Sequence, residues 1–129
     1  MKKVVLIIFN ILVVSQLILA QDNVLNGLQL TFKEGNAKEA TRYLNDIVEL
    51  SIDGEKGSYS KTQAEFILKD FFKNNPPTDF KKIHQGSSKE GLTYMIGKYI
   101  YPSGNYRVYI VVKVFKGNYL IDTIDFSKE

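Results

Sequence analysis

The sequence predicts an α+β domain, with three helices in its N-terminal half packed against a mainly antiparallel sheet. Three stretches carry that prediction. Residues 106–126 read YRVYIVVKVF, KGN and YLIDTIDF, two runs rich in β-branched and aromatic residues around a Gly-Asn signal, as in an antiparallel hairpin. Ser60 and Gln63 form a capping box ahead of Ala64, Ile67, Leu68, Phe71 and Phe72, one wide apolar stripe at helical spacing. Near Asp46 the period switches, because Val48, Leu50 and Ile52 alternate with Glu49, Ser51 and Asp53 at a spacing of two.

At the N-terminus, Lys2 and Lys3 precede an apolar run over residues 4–20 that is interrupted by Asn10, Ser15 and Gln16. This is the pattern of a secretory signal peptide with cleavage after Ala20, leaving one domain over residues 21–129. The run falls short of the ~20 apolar residues that span a bilayer, so no stable membrane span is expected after cleavage. Its removal also changes the charge. Of 17 basic side chains, Lys2 and Lys3 leave, and the remaining 15 face 14 acidic ones. A near-neutral domain offers no electrostatic case for nucleic acid, which needs clustered cations against phosphate. The chain has no cysteine, so its stability rests on core burial rather than on disulfides. A domain of this length can bury enough apolar surface for that.

The elements follow in order. Val24, Leu25, Leu28 and Phe32 recur at helical spacing over residues 22–34, and Gly35 is placed to end that helix. Asn36 caps a second helix with Glu39 in the capping-box position and Ala40, Leu44 and Ile47 on one face. A short strand then carries Val48, Leu50 and Ile52, turns at Asp53-Gly54, and returns over residues 55–59. After the long helix, Asn74, Asn75, Pro76 and Pro77 enforce a stop, since proline removes a backbone donor. Strands are expected over residues 78–85, 92–101 and through the hairpin, with a polar loop at 86–91. Phe80 and Ile83 lie three apart and so fall on opposite faces unless a bulge intervenes.

This order of helix, helix, short hairpin, long helix and four strands resembles the nuclear transport factor 2-like superfamily. The segments GNAKEATRYLNDIVELSI, YSKTQAEFILKDFF and YLIDTIDF further resemble a family of small exported bacterial proteins of unassigned function within it. The resemblance covers residues 22–129 and implies a cone in which a curved sheet wraps the helices. The superfamily includes isomerases, dehydratases, hydrolases, transport factors and binding modules, so the fold does not select an activity. Its enzymes place acid-base residues in the cone mouth, and no matching motif stands in this chain.

Residues able to do chemistry are few. His84 is the sole histidine and sits beside Lys81 and Lys82, which fits an ordinary strand residue better than a metal site or triad. No cofactor or metal motif is present. Asp122 and Asp125 are three apart in a strand and should point to opposite faces, which argues against a paired-carboxylate site. A turn at Gly117-Asn118 would set Lys113 opposite Asp122 and Ile110 opposite Asp125; a four-residue turn at 102–105 would bring Gly97 beside Ile110 and Met95 beside Val112. Asp125 would then have apolar row neighbours, making it the acid to inspect for a pocket role. Tyr94, Tyr99, Tyr101, Tyr106, Tyr109 and Tyr119 crowd the last three strands among Lys98, Arg107 and Lys113. They suit either half-buried strand packing or a surface that stacks on sugar, peptide or another subunit.

The expected function is an exported, non-enzymatic binding module for a small molecule, glycan or protein, with Tyr99 and Asp125 as the ligand-binding candidates. The alternatives are an isomerase or hydrolase using Asp125 with Tyr99, and a structural subunit that homodimerises. Expressed in an exporting bacterium, the chain should be recovered outside the cytoplasm with Gln21 at its N-terminus by mass spectrometry; full-length protein held in the inner membrane would overturn the leader assignment.

Overall fold

α1 runs from Lys2 to Glu34 (Lys2–Glu34) as one helix, in a computed structural model that describes residues 2–88 and 92–129. Its two ends live in different surroundings. Val4, Leu6, Ile8 and Phe9 are exposed, whereas Leu25, Leu28 and Phe32 are fully buried. Asp22 accepts a hydrogen bond from Gln85 Nε2 at 3.1 Å, which ties the start of the packed segment to the sheet. Gly35 ends the helix at φ 68°.

The second helix is far shorter than its sequence pattern. α2 is Ala37–Ala40, capped by the Asn36 side chain, which accepts from Glu39 N–H at 3.1 Å, and a turn of 3-10 helix at Thr41–Tyr43 follows. Leu44 and Ile47, expected on a helix face, instead belong to β1, Leu44–Ile52. Strand pairing overrides the local period here, since Leu44 meets Ile121 and Ile47 meets Ser60 across neighbouring strands. β2 is Glu55–Ser60, joined to β1 through Asp53 and Gly54 at φ 52° and 85°, the two positive values of a type I′ turn.

α3, Lys61–Asn74, has the complete Ser60–Gln63 capping box and buries Ala64, Leu68, Phe71 and Phe72. Four strands follow: β3 Asp79–Ser87, β4 Thr93–Tyr101, β5 Gly104–Phe115 and β6 Asn118–Lys128. β3 extends into part of the expected polar loop, and residues 89–91 of that loop lie outside the described residues. The six strands form one sheet in the order β2-β1-β6-β5-β4-β3, with β1 parallel to β6 and the other pairs antiparallel. The α+β architecture is thus the expected one, with helices on one face of a curved, mixed sheet.

The inner face of that sheet and the helices share an aromatic core. The Phe71 ring centroid lies 4.4 Å from that of Phe126, 5.1 Å from Tyr106 and 5.2 Å from Tyr99. Phe32 lies 5.5 to 5.6 Å from Phe80, Phe72 and Phe126. Gly97 makes room for this packing, since a Cβ there would sit 2.3 Å from the ring of Phe80.

Two registers differ from the sequence expectation. The β5–β6 turn is Lys116-Gly117, at φ 50° and 81°, so Phe115 pairs with Asn118 and Lys113 with Leu120, two residues from the expected register. A bulge at Asp122 then separates Val112↔Ile121 from Val111↔Thr123. This lets Ile121 and Ile124, three apart, both enter the core. The β4–β5 turn is a tight one that pairs Tyr101 with Gly104, setting Gly97 beside Val108 and Met95 beside Ile110, two residues from the expected register. In β3 a bulge at Ile83, between Lys82↔Gly97 and His84↔Ile96, leaves Ile83 exposed while Phe80 is buried.

Phe71→Ala should destabilise the fold by about 3–5 kcal/mol in denaturant unfolding, as large aromatic truncations in cores do. Val114→Ala, at an exposed position, should stay within about 0.5 kcal/mol of the parent.

Candidate functional site

Alternation along the strands sorts the tyrosines onto two faces. Tyr99, Tyr101 and Tyr106 point inward and are buried. Tyr94 and Tyr109 point outward, with ring centroids 6.0 Å apart.

The inner set ties the sheet to the end of α3 and to the first hairpin. The Tyr99 hydroxyl donates to the backbone carbonyl of Asn75, at the C-terminal end of α3. Tyr106 donates to Asp53 Oδ2 at 3.2 Å, linking β5 to the β1–β2 turn. Burial pushes both phenols up, and the charge of Asp53 adds to the effect at Tyr106, whose pKa rises from 10.0 to about 12. Beside them a surface hollow of about 470 Å³ is lined by Asp53, Glu55, Phe66, Asp70, Asn75 and Tyr106 among others.

Tyr99 and Asp125 are not brought together. Asp125 lies on the opposite, outer face, between Phe126 and Ile124, which are buried in the core. Its cross-strand neighbours are Tyr109 on β5 and Ser51 on β1, in place of the expected Ile110. The bulge at Asp122 is the reason. The turn moves every pairing by two residues, which preserves faces, and the extra residue reduces the shift to one, which turns the rest of the strand to the other face. Asp125 accepts from Ser127 Oγ at 3.4 Å and borders a hollow of about 210 Å³ with Glu49, Ser51, Lys56 and Thr123, a polar setting in place of the expected apolar one.

The bulge also revises the reading of the two aspartates. Asp122 sits on the outer side too, where it pairs with Lys113 Nζ at 3.0 Å and accepts from Thr123 Oγ1 at 3.0 Å. The Lys113–Asp122 pair is the expected one, reached through the bulge while Lys113 stands opposite Leu120. The two carboxylates have separate partners.

The outer face carries the arrangement that sequence reasoning missed. His84 Nε2 lies 3.3 Å from the Tyr94 hydroxyl, and their rings are 5.8 Å apart. His84, Tyr94 and Tyr109 thus make a ring ladder over β3, β4 and β5. Ile96 lies within it, since it pairs with both His84 and Tyr109. Among the described residues, no group of three or more His, Cys, Asp or Glu side chains is placed to hold a metal ion.

These features define a cone of the nuclear transport factor 2-like class. A protein of that description and of unknown function from Burkholderia xenovorans is similar in structure, with a TM-score of 0.61 at 14% identity over 85% of this chain and 84% of its own. Residues 25–127 match the family described as domain of unknown function (DUF4783), and the chain belongs to that family. Crystal structures of family members from Bacteroides uniformis and Bacteroides ovatus are 32% and 31% identical, each with a TM-score of 0.75. They are matched over 81% and 80% of this chain and over 95% and 93% of theirs. No curated protein matches the chain.

The raised phenol pKa values make stability pH-dependent with a definite sign. Because the folded state holds the neutral Tyr106 more tightly, its contribution is fully present below pH 10.0 and is lost as pH rises through about 12. Tyr106→Phe should flatten the alkaline loss of stability across that window, read by denaturant unfolding at stepped pH. An unchanged slope would contradict the assignment.

Proposed function

We propose that this chain is an exported, non-enzymatic binding module that meets its ligand with the outer face of the sheet. The observation that carries this reading is the division of aromatic side chains between the two faces. Phe32, Phe71, Phe72, Tyr99, Tyr106 and Phe126 fill the cone interior. The hydroxyls of Tyr99 and Tyr106 already serve structural acceptors. Outside, Tyr109 is 41% exposed and Ile83 63%, beside the half-buried Tyr94 and Ile96. Rings with a free face and a polar edge are suited to contact surfaces, because they bury area with little loss of side-chain freedom.

Export fits the division of α1 into an exposed apolar end and a packed segment that begins near Asp22. Among the described residues no helix is long and apolar enough to cross a membrane. Asp125 is a rim residue of the outer face in this reading, available to hydrogen-bond a ligand, and Tyr99 supports the fold.

The test is to probe the exported form of the protein on glycan and peptide arrays beside a Tyr94→Ser/Tyr109→Ser variant. The variant should keep the parent's circular dichroism and lose roughly ten-fold or more in affinity, since each aromatic contact contributes about 0.5–1.5 kcal/mol. Binding unaffected by the double substitution, or turnover of an array compound abolished by Asp125→Asn, would overturn the proposal.

A further inference from the structure

Three cations occupy one row of the outer face. Lys81 on β3 stands directly opposite Lys98 on β4, and Lys98 stands directly opposite Arg107 on β5. Like charges facing each other across strands destabilise a sheet. Among the described residues, none of the three has an acid within ion-pair distance. Cations elsewhere on the same face are treated differently, with Lys113 paired to Asp122 at 3.0 Å and Lys56 to Glu49 at 3.7 Å.

Protection of the sheet edge accounts for only one of the three. β3 is an edge strand, and an edge lysine deters pairing with other chains. Lys98 and Arg107 lie on β4 and β5, which have strands on both sides and no edge to guard. Lys98 is also half-buried, so water screens its charge less than that of a fully extended side chain.

The row borders a hollow of about 500 Å³ lined by Ile83, His84, Ile96, Lys98, Arg107 and Glu129, with Gly97 between two of them. Glu129 lines this hollow without an ion pair to Lys98 or Arg107. One row further along the strands stand Ile96 and Tyr109, with Tyr94 beside them.

We infer that this row and hollow bind an acidic saccharide, with its carboxylate or sulfate groups against Lys81, Lys98 and Arg107 and a ring face over Tyr109 and Ile96. The inference rests on the outer-face reading above and names its ligand class. Adjacent strands are about 4.8 Å apart, so three cations cover about 10 Å. That exceeds one isolated anionic group and suits anionic groups on successive sugar rings. Cations beside an exposed ring pair supply the two contacts such a ligand needs: charge for its acid groups and an apolar face for its C–H surface. A second copy of the chain is a poorer occupant. Two acids of the same outer face, Asp122 and Glu49, are already engaged by Lys113 and Lys56.

The test titrates the exported form with oligogalacturonate, a heparin oligosaccharide, an uncharged galacto-oligosaccharide and a single-stranded DNA oligonucleotide, at low and physiological salt. At least one acidic saccharide should bind roughly ten-fold or more tightly than the uncharged one and weaken as salt rises. Lys98→Ala/Arg107→Ala should lose roughly ten-fold of that affinity, yet unfold at the same or a higher temperature than the parent because the like-charge row is relieved. Equal affinity for charged and uncharged sugars, lost on Tyr94→Ser/Tyr109→Ser, would overturn the acidic-ligand inference while sparing the outer-face reading. DNA binding as tightly as the acidic sugars, or no saccharide binding at all, would also overturn it, and peptide binding on the arrays would then decide the outer-face reading separately.

Discussion

The contact of Phe71 with Phe126, at 4.4 Å between ring centroids, is the constraint from which the rest of the domain follows. Phe71 sits in the last turns of α3 and Phe126 near the end of β6, so this contact joins the capped helix to the strand that runs parallel to β1. Tyr99 and Tyr106 flank it, and their hydroxyls reach Asn75 and Asp53. One aromatic cluster therefore holds the end of the helix, the first hairpin and three central strands. Its rings fill the cone interior with packed side chains, and in a close-packed interior little can be admitted without displacing something.

That filling moves the functional question to the outer face. An interior tyrosine with a buried, raised phenol is a familiar sign of an active site, and here burial accounts for it together with a structural hydrogen bond. Tyr99 supports a helix end, and Tyr106 supports a turn whose central residue Asp53 adopts φ 52°. The outer face has the opposite character. Its rings keep free surface, and one of its rows accumulates unpaired positive charge, whereas Lys113 and Lys56 elsewhere on the face are paired with acids.

Two bulges create this difference between faces. The extra residue at Asp122 lets Ile121 and Ile124 both enter the core and sends Asp122 outward to Lys113. The extra residue at Ile83 does the equivalent on β3, so that Phe80 stays inside while His84 joins Tyr94 outside. Without the first bulge, the alternation of β6 would face either Ile121 or Ile124 to solvent. The cost of one unpaired ladder position is small beside roughly 1.5–3 kcal/mol for exposing a large aliphatic side chain.

Much of the architecture was legible in the chain itself. The Ser60–Gln63 capping box, the Asp53-Gly54 turn, the stop after Asn75 and the β-branched runs are local signals, each satisfied by neighbours a few residues away. They determine which segments are helix or strand and gave the α+β class, while the cone was implied by the resemblance of their order to the nuclear transport factor 2-like superfamily. The second helix was misjudged because Leu44 and Ile47 are claimed by partners at Ile121 and Ser60, one of them far along the chain. The site was misjudged for the same kind of reason. Which face Asp125 occupies depends on the one extra residue at Asp122, since the Lys116-Gly117 turn alone would set Asp125 beside the inward Val108 and the bulge moves it beside the outward Tyr109. The row of Lys81, Lys98 and Arg107 leaves no mark in the sequence, because its members lie on three strands and meet only once the registers are set. Local chemistry determined the elements of this protein; the tertiary structure alone decided which side chains share a surface, since that choice belongs to long-range packing of the core.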